Sequence, residues 1–118
     1  MVKALIIDDE IDICYLLSSI LKNKDVLTEY VNSLSEATAA LEKSTPSIIF
    51  LDNHLPDGMG IDFIRYIKKN FPTAKIVMIT AYDNSSDRNK ALQLGADGFI
   101  GKPFSRDIIY KAVEQFVN

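Results

Sequence analysis

Asp8 and Asp9 close the apolar run Ala4-Leu5-Ile6-Ile7, and Asp52 closes a second, Ile48-Ile49-Phe50-Leu51. A third run, Ile76-Val77-Met78-Ile79, ends at Thr80, and the segment Gly98-Phe99-Ile100-Gly101 ends at Lys102, just before Pro103. Were these runs parallel strands of one sheet, three carboxylates, a hydroxyl and an ammonium would share one crevice at the strand ends. Three acids within hydrogen-bonding range repel one another, and at least one takes up a proton unless a cation sits among them. Oxygen ligands select a hard divalent cation, and Mg²⁺ needs only one or two direct carboxylates besides its waters. A hydroxyl and an ammonium beside that cation suit a phosphoryl group. Either Asp8 or Asp9 alone reads equally well as a helix cap, but caps do not explain Asp52, Thr80 and Lys102 at three other strand ends.

The elements that must position these residues alternate along the chain. Residues 3–7 read as a strand, and 11–23 as a helix with Ile13, Leu16, Leu17, Ile20 and Leu21 on one face. The alternating, β-rich segment 26–31 suits a less buried strand. Ser33 and Glu36 form a capping box that opens a short helix, and Pro46 ends it before the strand at 47–52. Turn residues make 55–60 a loop, and a helix at 61–70 follows with Phe63, Ile64, Ile67 and Phe71 inward. After the strand at 75–80, Asp83 to Ser86 offer N-caps for a mostly polar helix to about Leu94, with Gly95 at its C′ position. The last strand is 98–101, and Ser105 caps a final helix carrying Ile108, Ile109, Ala112, Val113 and Phe116.

Five βα units with apolar inner strands imply an α/β fold, a doubly wound parallel sheet covered on both faces. Right-handed crossovers, and a polar second strand at an edge, favour the order 2-1-3-4-5. Ligands of such sheets bind at the carboxyl ends near the switch point, here between strands 1 and 3, where Asp8, Asp9 and Asp52 lie.

Length and composition narrow the classes further. With 118 residues the chain fits one domain, 1–118. Thirteen Lys and Arg against sixteen Asp and Glu give a net charge of −3 without a basic run, which disfavours direct nucleic-acid binding. Cys14 is the one cysteine, and it falls in an apolar helical pattern that suits a buried thiol. The absence of a long apolar stretch and of a signal-peptide pattern argues against a membrane span and makes a cytoplasmic location the default. Acidic Asp8-Asp9-Glu10 stands where a dinucleotide site would carry glycines, and no Walker A pattern occurs.

From end to end the chain resembles the receiver domain of two-component response regulators. The matching motifs are Ile7-Asp8-Asp9-Glu10, Leu51-Asp52 followed by Leu55-Pro56-Asp57-Gly58, Ile79-Thr80-Ala81, Gly95-Ala96-Asp97 and Lys102-Pro103-Phe104. The resemblance implies a (βα)5 flavodoxin-like fold. It further implies that Asp52 is a phosphoacceptor charged by a sensor histidine kinase or a phosphotransfer protein, with Mg²⁺ as cofactor. Asp9 and Asp52 would bind the metal directly, with the His54 backbone carbonyl, and Asp8 through water. Thr80 and Lys102 would hold phosphate oxygens, Lys102-Pro103 is a candidate cis peptide, and Thr80 with Phe99 would form the switch. Output would pass through the face of helix 4, strand 5 and helix 5 to a downstream effector domain or protein, and the same face could support a homodimer. Such a protein is a signalling phosphoacceptor that catalyses its own phosphotransfer and slow autodephosphorylation, not an enzyme with a separate substrate.

Some positions depart from the family pattern or modulate it. Phe99 has no hydroxyl, so a contact made by a tyrosine in relatives is absent. Asn53, His54, Ala81 and Tyr82 flank the acidic and hydroxyl strand ends. Asn53 is expected beside the metal crevice, and two bulky rings, His54 and Tyr82, are expected to slow attack by water. A metal-dependent phosphohydrolase reading lacks the second acid two residues after its nucleophile, where His54 stands. A phosphorylation-independent binding module is the remaining alternative, although every catalytic position is intact. The chain ends just past its last helix, so either a single-domain regulator or one separated from its effector fits.

Overall fold

Apolar side chains alternate across each inner strand, and both sets must leave water. The computed structural model, which describes residues 2–117, solves this with five strands. They are β1 (Lys3–Ile7), β2 (Leu27–Val31), β3 (Ile48–Asp52), β4 (Lys75–Thr80) and β5 (Gly98–Gly101). Between and after them run α1 (Ile11–Lys22), α2 (Leu34–Lys43), α3 (Gly60–Asn70), α4 (Ser85–Leu94) and α5 (Arg106–Phe116). The sheet is parallel, in the order β2-β1-β3-β4-β5. Ala4, Ile6, Ile48, Phe50, Val77 and Ile79 face α1 and α5, while Leu5, Ile7, Ile49, Leu51, Ile76 and Met78 face α2, α3 and α4. Strand β2, at one edge, has no fully buried residue, which is why its sequence alternates rather than running apolar.

Helix ends follow local chemistry. Ser33 Oγ accepts from the Glu36 N–H at 3.2 Å, and the Glu36 carboxylate reaches one residue further back than a capping box requires, to the Asn32 N–H at 2.8 Å. Asn84 and Ser105 cap α4 and α5 through the Asp87 and Ile108 N–H groups. Gly95 closes α4 at φ 119°, a conformation that favours glycine.

Several expectations change. In α1 the buried residues are Cys14, Leu17, Ile20 and Leu21, and Leu16 is exposed. The inner stripe therefore passes through positions 14, 17 and 21, one residue round from a pattern drawn through Leu16. Residues 55–60 are not wholly irregular. His54–Leu55 pairs antiparallel with Gly58–Met59, giving a two-residue hairpin at the end of β3. Its tip is tied to α2, because Asp57 accepts from the Leu34 and Ser35 N–H groups at 2.8 and 3.0 Å. These bonds hold the Asp57 carboxyl below the usual carboxylate range. Asp97, at the start of the segment leading into β5, pairs with Lys68 at 3.0 Å and accepts from the Ile76 N–H at 2.9 Å.

Helix α3 starts against β3. A Cβ at Gly60 would lie 2.1 Å from the Asp52 carbonyl oxygen, and the Gly60 N–H donates to Asn53 O at 2.7 Å. Gly60→Ala must push α3 from the end of β3, and it is expected to cost on the order of 2 to 4 kcal/mol in urea denaturation, among the large single-residue effects. Near-wild-type stability would show that helix and strand separate easily.

Candidate functional site

Strand register brings the chemistry together. Ile7 lies beside Leu51, Asp52 beside Ile79, and Thr80 beside Gly101. The residues that end β1, β3, β4 and β5 therefore surround one crevice. Carboxylate oxygens of Asp8, Asp9 and Asp52 lie within 4.8 Å of one another. Asp8 and Asp52 are buried, and Asp9 faces solvent.

Lys102 spans the crevice from the other side. Its Nζ lies 2.9 Å from Asp8 Oδ2, 3.3 Å from Asp52 Oδ1 and 2.8 Å from Glu10 Oε1. The backbone sets this reach: the Lys102 N–H donates to Thr80 O at 2.8 Å, and the Lys102-Pro103 peptide is cis. Thr80 is buried, and its Oγ1 accepts from the Tyr82 N–H at 3.1 Å. Glu10 is a partner of Lys102 that the motif alone does not reveal, since its side chain folds back over 92 positions of sequence separation.

One ammonium does not neutralise this set. Burial, followed by the charge of Asp8, pushes the Asp52 carboxyl up to about 6, against the opposing pull of Lys102. Asp8 is also raised, chiefly by burial. Burial alone would lower the Lys102 ammonium, yet its hydrogen bonds to Glu10 and Asp8 outweigh that and raise it. Two buried carboxyls that favour protonation beside a fixed ammonium still carry surplus negative potential. The donors are all oxygens, and Asp9 completes them from the solvent side. The residues present thus fit a hard divalent cation.

The flanking residues divide in two. Asn53 is buried, and its Oδ1 accepts from the Ile61 N–H at 2.9 Å, so its side chain caps α3 rather than extending the acidic set. His54 and Tyr82 are exposed, with ring centroids 4.6 Å apart and planes tilted by 55°. Ala81 is exposed between Thr80 and Tyr82. Phe99 on β5 is half-buried, and the Arg88 guanidinium stands 4.9 Å above its ring while pairing with Asp83 at 2.8 Å. Beneath the acids, burial and the Asp8 charge push the Cys14 thiol up to about 11, so it remains a hydrogen-bond donor.

The raised Asp52 sets a pH dependence. Its folded value of about 6 exceeds the ordinary 3.8, so the fold favours the protonated acid. Asp52 then costs no stability below pH about 4, and its cost builds between about 4 and about 6 and stays level above that. In chelator, Asp52→Asn is expected to stabilise the protein by ~1–3 kcal/mol at pH 8 and by much less at pH 4, measured by denaturant unfolding at both. A loss of stability at pH 8 would contradict the charge surplus.

Comparison with known proteins places the chain in a family. The sequence profile of the response regulator receiver domain matches residues 4–114. The chain is 38% identical over 101 residues to the response regulator protein PilR of Pseudomonas aeruginosa, covering 86% of this chain and 23% of PilR. It is 32% identical over 117 residues to the chemotaxis protein CheY of Listeria monocytogenes, covering 98% of each. The beryllofluoride-activated NtrC4 receiver domain dimer superposes with a TM-score of 0.93 at 32% identity, covering 98% of this chain and 95% of that one. The chain therefore spans about a quarter of PilR and nearly all of CheY. On the profile match, the shared fold and the acid–lysine crevice, the chain belongs to the receiver-domain family of two-component response regulators.

Proposed function

We propose that this receiver domain, residues 1–118, is a Mg²⁺-dependent phosphoacceptor whose acceptor atom is a carboxylate oxygen of Asp52. The carrying observation is the position of Lys102, within reach of Asp52, Asp8 and Glu10 at once. An ammonium so placed can transfer from carboxylate to phosphoryl oxygen without a change in its backbone. A divalent cation, when bound, supplies charge to hold phosphoryl oxygens and to lower repulsion among the acids. Asp9, Asp52 and the His54 carbonyl would hold it directly, and Asp8 through water.

The donor in this reading is a phosphohistidine of a sensor histidine kinase or a phosphotransfer protein. Asp52 attacks phosphorus, the P–N bond breaks, and the imidazole leaves with its electron pair while an aspartyl phosphate forms. Lys102 and the Thr80 hydroxyl then each face a phosphoryl oxygen. The Thr80 oxygen already accepts from the Tyr82 N–H while its O–H remains available to donate, so a phosphoryl oxygen held by Thr80 is coupled through that bond to the loop before α4. Phe99 follows by moving inward, against the Arg88 contact. The face of α4, β5 and α5 would carry the change to an effector domain or protein, or to a second copy, in keeping with the dimeric NtrC4 neighbour. Nothing basic in the charge balance favours direct contact with nucleic acid. Among the described residues no helix is long and apolar enough to cross a membrane. A cytoplasmic site of action is proposed with that kinase chemistry.

Incubation with acetyl phosphate and Mg²⁺, followed by intact-mass measurement, is expected to add one phosphoryl group. Chelator or Asp52→Ala should abolish the gain. No gain in wild type would instead favour a phosphorylation-independent binding module, and continuous phosphate release a hydrolase. The contact between the His54 and Tyr82 rings narrows the approach of water, so the phosphoprotein is expected to persist for minutes or longer in Mg²⁺. Tyr82→Ala should shorten that lifetime several-fold; decay of the wild type within seconds would refute the shielding role.

A further inference from the structure

Two side chains from different elements converge on one backbone carbonyl beneath the acids. The Asn32 side-chain amide donates to Asp8 O at 2.8 Å, and the Cys14 thiol donates to the same oxygen at 3.3 Å. Asn32 Nδ2 also lies 3.8 Å from Cys14 Sγ, so amide, thiol and carbonyl form a closed triangle. On the adjacent amide, the Asp8 N–H donates to Val31 O at 3.1 Å. The segment Val31-Asn32 thus grips both backbone groups of Asp8. Asn32 is itself anchored, because its N–H donates to Glu36 Oε1 at 2.8 Å on α2. Cys14 is fully buried and belongs to α1.

This grip acts where repulsion is greatest. Asp8, Asp9 and Asp52 hold their oxygens within 4.8 Å, and like charges so close drive the turn after β1 to swing its carboxylates apart. The Asp8 carbonyl is the pivot of that turn, since it lies between the Asp8 and Asp9 side chains along the chain. Two donors on one oxygen resist its rotation, and neither donor brings a charge that would alter the site. Groups that orient metal ligands without touching the ion typically contribute on the order of ten- to a hundredfold in metal affinity.

We propose that Asn32, assisted by Cys14, is a positioning residue for the divalent-cation site. Its amide clamps the Asp8 carbonyl and so holds Asp8 and Asp9 as a preorganised ligand pair. The inference rests on the reading of these acids as the cation site. It identifies a residue on the connection between β2 and α2, outside the strand ends that supply the ligands.

Mg²⁺ titration of the purified protein, followed by amide NMR shifts, tests it with thermal unfolding in chelator as the measure of fold. Asn32→Ala is expected to remain folded and to bind Mg²⁺ on the order of tenfold more weakly. Cys14→Ala should weaken binding less, and Cys14→Ser, which restores a donor, should bind more tightly than Cys14→Ala. Leu41→Ala, which hollows the core under α2 without touching the turn, should lower the unfolding temperature and leave Mg²⁺ affinity unchanged. Wild-type affinity in folded Asn32→Ala would overturn the inference, as would an equal loss of affinity in Leu41→Ala. Were Asn32→Ala not to fold, equal affinities in Cys14→Ala and Cys14→Ser would overturn it. Absence of Mg²⁺ binding in wild type would overturn the cation reading itself, and is thereby distinguished from failure of the clamp.

Discussion

Lys102 holds together a site that would otherwise push itself apart. Two buried carboxylates and Glu10 above them share one ammonium whose side chain is 9% exposed, and Asp9 adds a third acid at the solvent edge. Unit charges about 4 Å apart interact by about 4 kcal/mol at the effective dielectric of a protein surface. One cation against that many anions leaves the balance negative, and the raised Asp52 and Asp8 record it. A pocket of this kind answers to added charge. A divalent cation would relieve it, and in the proposed phosphotransfer a phosphoryl group on Asp52 would redraw it by giving Lys102 and Thr80 a new partner.

The fold exists around that charge balance. Parallel strands deliver their carboxyl ends to a common edge, and α1 begins directly after Asp8 and Asp9, so its N-terminal dipole favours acids there. Gly60 lets α3 start against the Asp52 carbonyl, Asn53 caps that helix, and the hairpin beyond Asp52 is pinned to α2 by Asp57. Each restraint is a neutral or distant group. They fix the backbone beside Asp52 without competing for the ammonium, which leaves Lys102 as the element free to change partners.

Much of this could be read along the chain, because it rests on periodicity. The alternation of apolar runs and amphipathic segments located five strands and five helices, and the polar character of β2 placed it at an edge. The strand-end acids, Thr80 and Lys102 stood out because unlike strands ended in complementary chemistry. What could not be read depends on contacts across the chain. Glu10 reaches Lys102, Asn32 reaches Asp8, and Asp57 reaches α2, each over more than twenty positions. Asn53 looked like a neighbour of the metal crevice by position, but its side-chain oxygen is taken by the Ile61 N–H. Cys14 is buried as its apolar setting suggested, but Leu16 is exposed, because an apolar stripe two residues wide admits more than one inner face and only the packing of α1 on the sheet decides which.

The most direct test of this charge balance is the identity of the modified residue. The protein would be treated with a small phosphodonor and Mg²⁺, reduced with borohydride to convert an aspartyl phosphate to homoserine, digested and sequenced by mass spectrometry. The expected result is homoserine at position 52 alone, absent from samples prepared in chelator and strongly diminished in Lys102→Ala. Modification at Asp8, Asp9 or another position, or full labelling of Asp52 without a divalent cation and without Lys102, would contradict it.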